Sequence, residues 1–248
     1  MSDTQANLQA VHQELLGQLN DIVRVCREYE IPYAMMCGTL LGTVRHQGFI
    51  PWDDDIDLIM TRDAYERFAQ IYPDVCDGKY LLSHTNTWTP RVMSKNPQAA
   101  DAFTDLFILD YLPDGAFARR MRLLLLRVLQ GMLKKNVDYS RFSLPQKAAL
   151  FATHLMGLPF SVRQKTRWYA NLSQRTSMGR DMHMSNGAFG LLSMAWDRTL
   201  FENLTEASFE GLTVTIPQNY HEVLVKLFGE DYMTPPPEHE RVAKHLDL

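Results

Sequence analysis

Four aspartates within five residues, followed by an apolar run, constrain this chain more than any other feature. The acidic side chains are those of Asp53, Asp54, Asp55 and Asp57, and the stretch 56–60 is otherwise apolar. The alternation from Asp55 onward predicts a strand, which places Asp55 and Asp57 on one face about 7 Å apart. Buried carboxylates need partners, and a hard divalent cation can bridge such a pair. The alternative is a solvated acidic loop, which the apolar run disfavours.

A glycine–threonine pair precedes the acids. The apolar run 33–37 predicts a short strand, and the stretch 40–45 predicts a short helix. Gly38 and Thr39 lie between them, where backbone N–H groups and a hydroxyl at a helix start can bind an anion. The same pair is also typical of an ordinary turn, so it indicates an anion site only in combination with the acids that follow.

A further aspartate interrupts the apolar stretch 103–110. Asp105 inside a buried strand is costly unless it is charge-paired or metal-bound. If this strand lies beside the one that carries Asp55 and Asp57, the three carboxylates form a site for one or two Mg2+ (or Mn2+) ions. The alternative is a capping or turn aspartate.

These features together predict a phosphoryl-transfer site. Bound metal would hold the substrate phosphates and activate the attacking hydroxyl, and Asp105 could accept the hydroxyl proton. The candidates to neutralise phosphate charge are Arg45, His46, Arg91 and Lys95. A solvated strand edge is the alternative for Arg91 and Lys95, and a plain surface position is the alternative for His46.

Basic residues are concentrated in one segment. Residues 119–175 contain twelve Lys or Arg and one acid, whereas the whole chain has a formal charge of −4. The stretch 119–135 predicts an amphipathic helix with Arg119, Arg120, Arg127, Lys134 and Gln130 on one face. Such a helix suits an anionic membrane surface or a polyanionic acceptor. The alternative is a helical subdomain whose basic face is simply solvated.

The remaining pattern predicts an α+β fold. We expect a catalytic core over 1–116, a basic helical insertion over 117–180, and a C-terminal part over 181–248 that completes the catalytic domain. Helices are predicted over 3–30, 62–72 (ended by Pro73) and 220–228, with a hairpin turning at Glu210–Gly211. The start carries no signal-peptide pattern, and three widely spaced cysteines suit a reduced compartment, so we expect a cytoplasmic protein, peripheral at the membrane if 119–135 binds it.

The stretch 38–57, GTLLGTVRHQGFIPWDDDID, closely resembles the signature of the LicD family of phosphocholine transferases and fukutin-like proteins, within the nucleotidyltransferase superfamily. The stretches 104–110 (TDLFILD), 209–211 (FEG) and 229–237 (GEDYMTPPP) are similar to its later blocks. Two departures are an extra acid in the last block and Ile108 in the second, where proline is common. The basic segment 117–175 matches no block, so acceptor recognition there is open.

The resemblance implies a nucleotidyltransferase-like mixed β-sheet flanked by helices, with Asp55 and Asp57 as metal ligands and Asp105 as the third acid. It implies transfer of a phospho-alcohol from a CDP-activated donor, CDP-choline in the type case, to a glycan or glycolipid such as lipopolysaccharide or teichoic acid. A choline group would need aromatic walls, for which Trp52, Trp88, Tyr33 and Trp196 are candidates. We expect no nucleic-acid partner.

Two other functions remain open on the sequence. One is a nucleotidyltransferase that moves a nucleoside monophosphate to a small molecule or protein. The other is a non-catalytic glycan- or membrane-binding module, which the presence of Asp55, Asp57 and Asp105 disfavours.

Overall fold

The structure is a computed structural model that describes residues 3–83, 89–99, 101–134, 143–176 and 178–243. The helices are α1 (Asp3–Glu28), α2 (Cys37–His46), α3 (Arg62–Val75), α4 (Ala116–Leu133), α5 (Leu144–Gly157), α6 (Val162–Ser173), α7 (Phe189–Ser193) and α8 (Tyr220–Phe228). The strands are β1 (Ala34–Met35), β2 (Ile56–Thr61), β3 (Tyr80–Ser83), β4 (Arg91–Ser94), β5 (Phe103–Tyr111), β6 (Asp181–Met184), β7 (Trp196–Asp197), β8 (Leu204–Phe209) and β9 (Leu212–Pro217). The predicted α+β class with a nucleotidyltransferase-like arrangement is confirmed.

The chain divides into two compact units. The first contains the described residues of 1–83, 90–108 and 198–248, and the second contains those of 84–89 and 109–197. The strand β5 contributes its first six residues to the first unit and its last three to the second.

The first unit is built on a sheet with the strand order β1-β2-β5-β4-β3. The long helix α1 buries the apolar stripe that its sequence predicts, including Leu15, Leu19 and Ile22. Gln18 from the same helix is fully buried and accepts from Thr104 Oγ1 at 3.1 Å, while its Nε2 donates to the Ala102 carbonyl at 2.9 Å. Because both amide atoms are satisfied, α1 fixes the start of β5 just before Asp105.

The β8–β9 hairpin also belongs to the first unit. Phe209 pairs with Leu212, and the chain turns at Glu210 (φ 48°) and Gly211 (φ 79°), as the sequence predicts. Two positive φ values in succession are typical of a type I′ turn, which suits the twist of the flanking strands. The helix α8 has the predicted bounds, Tyr220–Phe228.

Several predicted boundaries are wrong in the first unit. Pro73 lies inside α3, and the last turn continues past it because the Cys76 N–H still donates to the Tyr72 carbonyl at 2.9 Å. Gly38 and Thr39 belong to the first turn of α2 rather than to a turn before it. Asp55 directly precedes β2, so only Asp57 lies in the strand.

The second unit packs α4, α5 and α6 together and carries β6 and β7. Its β5–β6 register places Asp110 opposite His183. Buried Lys165 donates to the carbonyls of Met132 and Gly157 at 2.9 and 3.3 Å, near the C-terminal ends of α4 and α5. A cation at these ends satisfies carbonyls that lack helical partners. Within the described residues, no helix is both long and apolar enough for a membrane span.

The structure divides the predicted basic face of α4, since Arg120 and Arg127 are exposed while Gln130 is buried. Gln130, placed by the sequence among the basic residues, is fully buried and donates to the Tyr169 hydroxyl and to the Gly187 carbonyl. Arg119 forms an ion pair with Asp181 at 2.8 Å. The opposite, apolar side is partly exposed. The helix ends at Leu133, and the last predicted residue, Lys135, lies outside the described residues.

Candidate active site

Three aspartates meet where β2 and β5 lie side by side in the sheet. Asp57 is the second residue of β2, Asp55 directly precedes that strand, and Asp105 is the third residue of β5. One carboxylate oxygen from each residue lies within 4.8 Å of the other two. The structure therefore brings together the three acids that the sequence selected.

This donor set fits a hard divalent cation. Mg2+ takes oxygen ligands at about 2.1 Å in an octahedron, so neighbouring ligand oxygens lie about 3–4 Å apart. The separation of at most 4.8 Å in the structure allows three carboxylates to converge on one ion with small adjustments. Their assignment as metal ligands and catalytic residues stays a prediction.

A second acidic group adjoins the first. Carboxylate oxygens of Asp53, Asp54 and Asp55 also lie within 4.8 Å of one another, so Asp55 belongs to both groups. The Asp54 side chain is fully buried. A buried carboxylate needs polar or charged neighbours, which makes Asp54 part of the folded loop and not a solvated acid.

Gly38 makes room for Asp53 at the start of α2. A methyl group added at Gly38 would lie 2.5 Å from Asp53 Oδ2, so the Asp53 carboxylate would have to move away from the start of α2. A negative charge at a helix N-terminus is electrostatically favourable. A substrate phosphate would have to share this helix start with Asp53, so phosphate binding by Gly38 stays a prediction.

Thr39 connects α2 to β2. Its Oγ1 accepts a hydrogen bond from the Asp57 backbone N–H at 2.8 Å, and the side chain is 4% exposed. Thr43 Oγ1 in turn donates to the Thr39 carbonyl at 2.7 Å. The contact that the structure gives Thr39 therefore positions Asp57, while its predicted contact with phosphate stays a prediction.

Arg91 lies inside the acidic site. It is directly opposite Asp105 in the β4–β5 register, and its Nε and Nη2 donate to the two carboxylate oxygens at 2.6 and 3.3 Å. Its guanidinium carbon lies 3.7 Å from the centre of the Phe103 ring. The alternative of a solvated edge charge is therefore wrong for Arg91, whose charge offsets one carboxylate.

The structure does not bring Lys95 to the same group. Lys95 follows β4, is exposed, and donates from Nζ to the Gly78 carbonyl at 2.9 Å. Four residues of extended chain separate it from Arg91 by about 13 Å. Lys95 as a substrate ligand stays a prediction without support from its position.

Cys37 lies against the aspartates but is unsuited to nucleophilic chemistry. Burial raises the pKa of its thiol well above the usual value, and the charges of Asp57 and Asp55 raise it further. The group therefore stays a neutral thiol, which agrees with the expectation of buried, reduced cysteines.

Arg45 and Trp52 contact the C-terminal segment, and His46 lies beside Arg45. Arg45 Nη1 donates to the Tyr232 carbonyl at 2.9 Å, and the Arg241 guanidinium carbon lies 5.2 Å from the centre of the Trp52 ring. Burial lowers the pKa of Arg45, and the charge of Arg241 lowers it further. Burial and the charge of Arg45 lower the pKa of His46.

Sequence reasoning missed Arg241 and His12. The sequence around Arg241 carries no pattern that selects it. His12 Nε2 contacts the Asp53 carbonyl at 2.7 Å, and its ring stacks on Phe49 at 4.1 Å. Phe49 N–H donates to Glu210 Oε1 at 3.2 Å. His12 of α1 and Glu210 of the hairpin turn therefore both contact the loop 49–53, which leads into the acidic site.

The aromatic candidates for a choline site differ in exposure. Trp52 is half-buried, whereas Tyr33 and Trp196 are buried, at 6% and 0% exposure. Trp88 lies outside the described residues. Among the described candidates, Trp52 is thus the one whose side chain is partly exposed to solvent, and it directly precedes Asp53 in the sequence.

Comparison with known proteins finds similarity over the part of the chain that carries Asp55 and Asp57, and Asp105 lies two residues beyond the end of the matching family model. A family model described as "LicD/FKTN/FKRP, nucleotidyltransferase domain" matches residues 30–103. The lipopolysaccharide cholinephosphotransferase LicD of Haemophilus influenzae is 28% identical over 242 residues, which cover 90% of this chain and 89% of that protein. An uncharacterized Rickettsia typhi protein is 32% identical over 92 residues, 36% of this chain and 30% of its own. An uncharacterized Rickettsia prowazekii protein is 34% identical over 70 residues, 28% of this chain and 26% of its own.

Proposed function

Because this chain belongs to the LicD family, we propose that it transfers a phospho-alcohol, phosphocholine in the first instance, from a CDP-activated donor to a hydroxyl of a cell-surface glycan or its lipid-linked precursor. The observation that carries the proposal is the convergence of Asp55, Asp57 and Asp105 within 4.8 Å at adjacent strands. The Haemophilus relative, named as a lipopolysaccharide cholinephosphotransferase, supports the transferred group and the glycolipid acceptor.

The reaction is a substitution at phosphorus. The acceptor hydroxyl oxygen forms a bond to the phosphorus of the phosphocholine group, the bond to the leaving phosphate breaks, and CMP leaves with the electron pair. Asp55, Asp57 and Asp105 would hold a Mg2+ or Mn2+ ion, which supplies charge stabilisation at the donor phosphates when bound. Asp105 accepts the hydroxyl proton, and Arg91 orients Asp105 through its two hydrogen bonds.

A second candidate function is transfer of a nucleoside monophosphate. The description of the matching domain as a nucleotidyltransferase domain favours it, because the same three carboxylates would serve attack on the α-phosphorus of a nucleoside triphosphate. A non-catalytic binding module is disfavoured by the carboxylate convergence. Calorimetry that detects no Mg2+ or Mn2+ binding to the full chain would instead favour such a module.

Mass spectrometry of products separates these functions. The full chain is incubated with Mg2+, a panel of CDP-alcohols or nucleoside triphosphates, and a lipopolysaccharide acceptor, with the Asp57→Asn variant as the matched control. We expect an acceptor that gains phosphocholine only with the wild-type chain. An acceptor or protein that gains a nucleotide would favour the second candidate, and gain of either group with Asp57→Asn would overturn the role of the aspartates.

We also propose that α4, α5 and α6 contact an anionic membrane, which suits a lipid-linked acceptor. Of the sixteen large apolar side chains exposed in the described residues, twelve lie between Phe117 and Trp168. Phe117, Met121 and Leu124 of α4 recur on one helical face. The same spacing recurs on α5, at Phe151, Leu155 and Leu158 just beyond its end.

Charge favours an anionic lipid surface over a neutral partner. The stretches 116–134 and 143–173 contain nine Lys or Arg and no Asp or Glu. Part of that charge is used inside the unit, by Arg119 with Asp181 and by buried Lys165. Exposed Arg120, Arg163 and Arg167 remain beside the apolar stripes, a combination typical of interfacial helices.

Vesicle sedimentation tests this contact. We expect salt-sensitive binding of the full chain to vesicles containing phosphatidylglycerol, weak binding to phosphatidylcholine alone, and loss of binding in a Phe151→Ser, Leu155→Ser variant. The control replaces the exposed Ala149 and Ala152 of the same helix by serine. Equal vesicle binding by the two variants would overturn the proposal. A wild-type dimer that the Phe151→Ser, Leu155→Ser variant fails to form, while the control forms it, would instead assign the apolar face to self-association.

A further inference from the structure

The C-terminal segment places a second arginine beside the acidic loop. Arg241 follows a 3-10 turn at Glu238–Glu240, and its Nε donates to the Pro236 carbonyl at 2.8 Å. Its guanidinium carbon lies 5.2 Å from the centre of the Trp52 ring. Trp52 directly precedes Asp53, so Arg241 is held at the entrance to the aspartates although it lies far away in sequence.

Arg45 faces the same place from the end of α2. It is half-buried, and its Nη1 donates to the Tyr232 carbonyl at 2.9 Å. The charge of Arg241 contributes to a lowered pKa of Arg45, after the larger effect of burial. Backbone carbonyls of the same C-terminal segment hold both guanidinium groups, that of Tyr232 for Arg45 and that of Pro236 for Arg241.

The charges of Arg45 and Arg241 are not offset by ion pairs of the kind that Arg91 and Arg24 make. In the described part of the first unit, Arg91 pairs with Asp105 and Arg24 pairs with Asp21, whereas no ion pair joins Arg45 or Arg241 to an acid. Each guanidinium has five N–H donors, and the carbonyl contacts use only a few of them. Two fixed, like-charged groups with spare donors form a receptor for an anion with two or more negative charges.

We propose that Arg45 and Arg241, the latter beside the Trp52 ring, form a binding site for a phosphate group of the diphosphate donor. The identity of the donor rests on the proposed function, but the anion site rests on the arginines alone. A diphosphate offers one phosphate to the aspartate site and a second phosphate that needs its own cations. Arg45 and Arg241 supply those cations. Arg241 is accordingly a substrate-binding residue, and it belongs to the C-terminal segment.

Calorimetry with inorganic pyrophosphate tests the site without metal or turnover. The full chain is titrated in a chelating buffer, together with Arg241→Gln and a matched control, Arg198→Gln, an exposed arginine of the same unit. We expect binding by the wild type and the control, and binding about tenfold weaker or worse in Arg241→Gln, since charge-assisted hydrogen bonds to phosphate are lost. Wild-type chain that binds no pyrophosphate, or equal binding by all three, would overturn the proposal.

A lysine variant and the donor kinetics separate this inference from the proposed function. Arg241→Lys keeps the charge but not the planar fork, so we expect intermediate pyrophosphate affinity. In the transfer assay, Arg241→Gln should raise the KM for the CDP-alcohol more than it lowers kcat, while Mg2+ affinity is unchanged. Pyrophosphate binding that depends on Arg241 in a chain that transfers nothing from CDP-alcohols would support the anion site and contradict only the proposed donor. If the wild-type chain transfers phosphocholine and Arg241→Gln leaves the KM for the CDP-alcohol unchanged, the arginine site is contradicted and the proposed function is not.

Discussion

Arg91 and Asp105 lie directly opposite each other on β4 and β5, and Arg91 Nε and Nη2 donate to the two oxygens of Asp105 at 2.6 and 3.3 Å. The protein thereby offsets one of three converging negative charges with a cation of its own. This arrangement lets Asp55, Asp57 and Asp105 lie together before any ion binds, since an unpaired, largely buried carboxylate would be costly. The pair is therefore part of the site and part of the fold.

Replacing Arg91 by glutamine should destabilise the protein most when no divalent ion is present. The variant leaves the carboxylate of Asp105 without its charged donor, at a cost of about 1–3 kcal/mol in the free energy of unfolding. Denaturant unfolding in a chelating buffer measures that cost, and added Mg2+ should reduce it. Lys95→Gln, an exposed position next to the same strand, serves as the control, with a change within about 0.5 kcal/mol. If Mg2+ does not reduce the loss of unfolding free energy in Arg91→Gln, then Asp105 is not a ligand of that ion.

Asp57→Asn should remove transfer activity without destabilising the fold. The asparagine keeps the backbone N–H that donates to Thr39 Oγ1, and it removes one of the like charges near Asp55 and Asp105. Repulsion among carboxylates opposes folding, so the thermal midpoint in a chelating buffer should stay unchanged or rise. Differential scanning calorimetry beside the transfer assay gives both quantities. A steep fall in the midpoint would show that the cluster is structural.

Thr39→Val should weaken metal binding, whereas Thr39→Ser should not. Valine keeps the shape of threonine but offers no acceptor to the Asp57 N–H, which leaves a buried donor unsatisfied at about 1–3 kcal/mol. Serine keeps the acceptor and loses only a buried methyl group, about 1 kcal/mol. Titration of both variants with Mg2+ or Mn2+ compares their affinities. Equal metal affinity in the two variants would mean that the hydroxyl does not position Asp57.

The stability of the second unit should fall in mild acid because of His183. This side chain is fully buried, its Nδ1 donates to the Leu192 carbonyl at 2.9 Å, and burial lowers its pKa below the usual 6.5. Below about pH 6.5 the unfolded chain therefore binds a proton that the folded chain does not, and the free energy of unfolding decreases as the pH falls toward the folded pKa. Above that pH this contribution is constant.

The matched variant is His183→Asn, whose amide can still donate to the Leu192 carbonyl but does not titrate. Urea unfolding between about pH 5 and pH 8, followed through the tryptophan fluorescence of the chain, should show a shallower pH dependence in this variant than in the wild type. The same slope in both proteins would assign the acid sensitivity to groups other than His183.

The local pattern of the sequence determined most elements of this protein. The apolar spacing of α1, the Glu210–Gly211 turn and the bounds of α8 follow from neighbouring residues, since helix periodicity and turn chemistry are local properties. The same holds for the choice of Asp55, Asp57 and Asp105, because charged residues inside apolar runs require partners. Where local signals were weak, as at Pro73 and at Gly38 and Thr39, predicted boundaries were wrong.

Tertiary structure alone decided which residues share the site. The adjacency of β2 and β5 brings Asp105 to Asp57, and the β4–β5 register gives Arg91 rather than Lys95 to that carboxylate. Arg241 reaches Trp52 only through the path of the C-terminal segment. Strand order and register depend on contacts between distant residues, so a pattern read along the chain names the acids and several candidate cations but does not decide which of those cations lies beside which acid.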